Sequence, residues 1–294
     1  MTFFLQLFCN GVIQGALIAC LAAGFGLVYR SFRIFHIAMG AQFVFSCYAF
    51  YFCSIEMKLP MTAAASGALL LSILFACLIE WIVYYPFYKK QASGGAVMIA
   101  SLGVMIIVEN IIALSFGNEV KTISNLLEPS IVWGGLRFTR IQLIHLFTGI
   151  ALFCGVGVLL RYNRYFKAIW AMGDQPELIP ILGLPLKRLR ILIMVLGGIM
   201  IALPAMLISY DTGMNPHLGM SYLLLAAVAM FFGGADRYFA WGVGALILSI
   251  LQSISIWKFS ARWIELVTFG VLIFVLLFRP QGLFGTRKRL EEQS

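Results

Sequence analysis

The sequence predicts an all-α, polytopic membrane protein of eight or nine transmembrane helices, organised as one domain over residues 1–294. Three observations carry this reading. Apolar residues make up 62% of the chain and charged residues 11%, too few charges to cover a soluble surface of that size. The apolar residues gather in runs long enough to cross a bilayer, separated by short polar links. The net charge of +9 sits in those links as small clusters, which orients a membrane protein and does not build a nucleic-acid groove.

Apolar length places the spans, taking roughly 17 to 25 residues per crossing. The first four fall near 5–28, 34–55, 61–84 and 96–116. The N-terminal run lacks a basic n-region and a small-residue cleavage site, so it is expected to stay as the first span. Further spans fall near 141–160, 191–209, 239–257 and 263–278. The run 220–232 is short and ends in Gly233-Gly234, which leaves open a re-entrant or broken helix in place of a ninth span. The six cysteines show no CxxC or Cys/His spacing and read as small packing residues. Glycines at helical spacing (Gly11, Gly15, Gly94, Gly95, Gly103, Gly242, Gly244) suit close helix approach.

With nine spans and an external N-terminus, one side receives Arg30, Arg33, Lys89, Lys90, the six basic residues of 161–190, Arg237, Arg279, Arg287, Lys288 and Arg289. The other side receives Lys58, Lys121, Arg137, Arg140, Lys258 and Arg262. The richer side is expected to be cytoplasmic, and with it the C-terminus. Two links are longer than connectors need to be. The external one, 117–140, is mixed in charge and contains Trp133-Gly134-Gly135, suiting either a covering flap or a partner surface. The cytoplasmic one, 161–190, mixes basic residues with Asp174, Glu177 and an apolar stripe of Ile169, Trp170, Leu178, Ile181 and Leu182, closed by Gly183 and Pro185. Leu178, Ile181 and Leu182 recur at i, i+3, i+4, the pattern of a short amphipathic helix along the membrane face.

No phosphate-binding loop, HExxH, GxSxG or paired-carboxylate cleft is present, so no catalytic residue, metal site or bound cofactor is expected in this chain. Ionisable and amide groups within the apolar runs are few: His36, Gln42, Glu80, Glu109 with Asn110, and Gln252. His36, Gln42, Glu109 and Asn110 are the candidates for lining a path. The pair Glu109-Asn110 serves equally well as a hydrogen bond between helices, and His36 as an interfacial histidine. A gradient-driven carrier would place more charge at mid-membrane depth, and so ranks behind a subunit driven by a partner.

The stretch Arg161-Tyr-Asn-Arg-Tyr-Phe-Lys-Ala-Ile-Trp-Ala-Met-Gly-Asp-Gln-Pro-Glu-Leu-Ile-Pro-Ile-Leu-Gly183 resembles the cytoplasmic loop of the branched-chain amino-acid permeases of ABC importers. Asn215-Pro216 with Gly219-Met220, then Ala226-Ala227-Val228 and Gly233-Gly234, resembles the next block, and Arg279-Pro-Gln-Gly-Leu-Phe-Gly285 that family's ending. The likeness continues upstream through 24–48 and covers nearly the whole chain. Departures from the pattern are Arg30, Arg33, His36, Ile37, Met39, Phe166, Trp170, Ile179 and Asp236-Arg237, while Ala38 and Gly40 keep it. The resemblance implies an importer permease bundle in a bacterial inner membrane, carrying branched-chain or other neutral amino acids, or alternatively urea or short amides. It implies a second, identical or homologous permease, an extracytoplasmic solute-binding protein, and two cytoplasmic ATP-binding subunits holding ATP and magnesium. The loop residues Asp174, Glu177, Leu178, Ile181, Leu182 and Gly183 are then the coupling surface for those subunits.

Overall fold

The computed structural model describes residues 2–123, 130–133, 135–174, 178–181, 183–258 and 263–285. Its first helix, α1 (Thr2–Phe32), is the axis of the bundle. Its most apolar window is 89% buried, against 22% for the windows of the outer helices α5 (Gly94–Phe116) and α6 (Arg140–Tyr162). Glycine permits this enclosure: a Cβ at Gly11 would stand 2.8 Å from the Ile250 Cα, and one at Gly15 2.9 Å from Leu246. Around α1 stand α6, α9 (Leu186–Thr212), α10 (Leu218–Gly233) and α11 (Tyr238–Lys258).

A second layer packs against α9. It comprises α2 (Ala38–Tyr51), which continues through a π-turn to Glu56, and α3 (Met61–Ile79), followed by a π-turn (Glu80–Tyr84) and α4 (Tyr85–Lys89). The short α12 (Ile264–Phe278) closes the bundle beside α10 and α11. Among the described residues, seven helical stretches are long and apolar enough to cross a membrane, and α10 and α12 are shorter apolar helices.

The two ends of the bundle are identified by their own contacts. At one end Gln6 pairs with the backbone of Arg137, and Lys121 with that of Met214. At the other end Arg30, Lys89, Asp174, Asp236 and the C-terminal Gly285 lie. The N-terminal helix therefore begins at the end opposite the described C-terminal segment, as an odd number of passes requires. The run 220–232 forms α10, which extends from His217, beside Glu109, to Gly234, packed on Gly285, and is shorter than the candidate spans. The ending Pro280–Gly285 folds back so that the Leu283 and Phe284 amides donate to the Phe232 and Gly233 carbonyls, 2.9 Å each, capping α10.

Three boundaries differ from expectation. The second helix starts at Ala38, not 34, because the chain reverses through Arg33 at φ +56°. The helix expected from 191 starts at Leu186, directly after Pro185, whose fixed φ suits a helix start. The link 117–140 contains a small antiparallel hairpin, β1 (Ser130–Trp133) and β2 (Leu136–Thr139), in an otherwise helical chain. Its β-branched Ile131 and Val132 and the glycine at 135 (φ +84°) favour that turn over a helix. Close packing holds for Gly242 against Phe153 and Gly244 against Ala229, whereas Gly94, Gly95 and Gly103 face open space.

Candidate functional site

At the end that bears Arg30, the loop of residues 161–190 is bound to the bundle at two places. Asn163 caps its first helix, α7 (Arg164–Met172), accepting from the Tyr165 amide at 2.9 Å. Ala168, Ile169 and Met172 of α7 are buried while Lys167 and Ala171 are exposed, so α7 lies with one face on the bundle. It ends where it touches the end of α1: a Cβ on Gly173 would fall 1.9 Å from the Arg30 carbonyl oxygen, an approach only glycine allows.

The next residue, Asp174, receives the Arg30 Nη2 at 2.7 Å on both carboxylate oxygens. Arg33 donates to the Gly173 carbonyl at 2.9 Å and to Asp174 at 3.3 Å. Arg30 is buried, its Nε lies 3.9 Å from Asp236 on the α10–α11 turn, and its guanidinium stands 5.5 Å from the Trp170 ring centre. One cation thus joins the end of α1, the end of α7 and the α10–α11 turn.

The second attachment follows the short α8 (Leu178–Ile181) and the left-handed Gly183 at φ +72°. In the first turns of α9, Arg190 donates through Nε to Glu80 Oε1 at 2.5 Å and through Nη2 to Oε2 at 3.3 Å. Both residues are buried, and the guanidinium sits 4.3 Å from the Phe32 ring centre and 4.7 Å from that of Tyr88. Glu80 opens the π-turn that follows α3. The sequence places Arg190 in a cytoplasmic link and Glu80 near Lys89; folding instead buries both as a pair, since an unpaired charge there would be costly.

Of the expected coupling residues, Asp174 is held by Arg30 and Arg33. Glu177 and Leu182, and the side chain of Leu178, lie outside the described residues. Ile181 is 77% exposed and Gly183 exposed, while Ile179 between them is buried, so the loop's inward residue is Ile179.

The expected path residues form two separate groups. His36 lies in the link between α1 and α2, fully buried, with Nδ1 2.5 Å from the Tyr84 hydroxyl, which is 2.9 Å from Ser101 Oγ. Burial lowers its pKa to about 3, so the imidazole is neutral at physiological pH. Gln42 is buried between α9 and α3, with Gly198 and Ala76 as neighbours. Towards the other end, Glu109 pairs with His217, and Asn110 is exposed, its amide donating to the Ile106 carbonyl of its own helix. Arg30, Glu80 and Arg190 were missing from the expected site. The available signal was the appearance of opposite charges at two departures from the family pattern, Arg30 and Asp236.

No group of three or more His, Cys, Asp or Glu side chains suited to a metal occurs among the described residues. Comparison with known proteins matches residues 7–276 to the family described as branched-chain amino acid transport system, permease component. The chain is 25% identical to the high-affinity branched-chain amino acid transport permease BraD of Pseudomonas aeruginosa over 96% of both chains, and 25% identical to LivH of Escherichia coli K12 over the same share. A probable LivH permease of Methanocaldococcus jannaschii is 23% identical over 94% of this chain and 91% of its own. The solved structure of PsaBC from Streptococcus pneumoniae in complex with Fab matches with a TM-score of 0.56 at 14% identity, covering 99% of this chain and 95% of that one, which supports the fold.

Proposed function

The chain belongs to the family of permease components of branched-chain amino acid transport systems, and from that premise we propose how its parts divide the work. It is a multi-pass membrane permease subunit of an ATP-binding-cassette importer. In the proposed assembly it works with a second, identical or homologous permease, an extracytoplasmic solute-binding protein and two cytoplasmic ATPases that hold the ATP and magnesium. The cargo is a branched-chain or other neutral amino acid, and the basic end of the bundle, with the C-terminus, faces the cytoplasm.

The ATPases dock on the exposed side of the loop 161–190. The observation that carries this reading is that the loop exposes Ile181 while both its flanks are fastened, Gly173-Asp174 to the end of α1 and Arg190 to the π-turn after α3. A push on such a loop reaches two different helices, and the alternation of the path follows from their tilt. The test is uptake of labelled leucine into proteoliposomes containing the full complex. Accumulation should require ATP and be competed by excess valine or isoleucine. Competition by urea in their place would replace the cargo.

A further inference from the structure

A cavity of about 350 Å3 opens among α1, α6 and α9–α12, towards the end opposite the charged loop, a size usual for small-ligand pockets. Its origin is geometric. The helix α9 has 27 residues, roughly 40 Å of rise, and α10 has 16, roughly 24 Å. The far end of α10 is pinned by the returning C-terminal segment, so the deficit falls at its start and leaves a well there. The well reaches the central helix: Gln14 is exposed to it although residues 15–28 of α1 are all buried, and it makes no hydrogen bond among the described residues.

The lining divides into three kinds of surface. Leu17, Ile18, Leu224, Leu225 and Phe269 form an apolar wall. Hydrogen-bond acceptors converge beside it. Gln252 is 7% exposed and spends its amide donor on Thr268 Oγ1 at 2.6 Å, which leaves Oε1 without a partner among the described residues. His145 Nε2 lies 3.1 Å from the Leu207 carbonyl and must donate to it, which makes Nδ1 the acceptor. Asp211 and Glu265 add carboxylates. The third surface is the start of α10: Leu218 and Ser221 belong to its first turn, an end whose dipole favours an anion, whereas the first turn of α12 already carries Glu265.

We propose that this cavity is a binding site for a zwitterionic aliphatic amino acid, with the ammonium at the Gln252, His145, Asp211 and Glu265 acceptors, the carboxylate towards the start of α10 and the side chain on the apolar wall. The assignment rests on the importer reading for its choice of ligand. It goes beyond that reading by placing a cargo site inside one permease subunit.

The test uses Ser221→Cys in the full chain in membranes, with labelling by a hydrophilic maleimide read at position 221 by mass spectrometry. L-leucine at millimolar concentration should slow labelling at least fivefold, and Gln252→Leu should raise the half-protecting concentration tenfold or more. Isopentylamine and isocaproate, each carrying one of the two charges, should protect less well than leucine. Failure of leucine to protect, while the complex still imports it, would overturn the site and leave the importer reading standing. Protection without ATP-driven uptake would uphold the site and remove the importer's cargo. Equal protection by isopentylamine would overturn the place given to the carboxylate.

Discussion

Arg190→Met alone is expected to eliminate most folded permease. The substitution leaves Glu80 buried and unpaired, which costs about 3–5 kcal/mol, a large share of the stability of an ordinary domain. Pairing it with Glu80→Leu removes both charges, and two apolar side chains of similar volume fill the space between Phe32 and Tyr88. The double variant should recover most of the parent yield and melting temperature. The measurement is the quantity of monodisperse permease after extraction, with its thermal midpoint. A double variant as poor as Arg190→Met would mean that the pair does more than satisfy its own charges.

Arg30→Gln is expected to act on coupling more than on folding. Its partner Asp174 is half exposed and can hydrate when released, so the lost pair is worth about 1 kcal/mol or less of stability. The mechanical tether between α7 and the end of α1 is then left to the more exposed Arg33. Amino acid moved per ATP hydrolysed should fall at least tenfold in reconstituted complex, and Asp174→Asn should do the same. Combining the two should add little, because both remove one contact. Additive losses would show that Arg30 and Asp174 act separately.

Most spans were legible because apolar length is a local property of the sequence, and bilayer thickness constrains it. The loop 161–190 was legible as a segment because it interrupts the apolar runs. Its attachments were not. Arg190 and Glu80 lie 110 positions apart, and nothing in either local stretch announces a pair that forms only when α9 packs on the π-turn. The need for a missing side chain at Gly173 comes from the Arg30 carbonyl, which no local pattern shows. Glu109 looked deeply placed in an apolar run, yet three-dimensional packing sets His217 beside it at the start of α10. That Ile179 turns inward while Ile181 stays exposed was not legible, because α8 is a single turn and too short for periodicity to fix its phase.

Substrate-stimulated ATP hydrolysis of the complex carrying Ile181→Glu tests the central claim most directly. Ile181 presents an apolar side chain on the loop's exposed side, and burying one against a partner is worth roughly 1.5–3 kcal/mol, which a carboxylate there would forfeit. The variant should insert and fold like the parent, since the side chain packs on nothing within its own subunit to any extent. The account predicts that stimulation by loaded binding protein is lost and that the ATPases no longer co-purify. Undiminished stimulation, with the ATPases still bound, would contradict the assignment of this loop as the coupling surface.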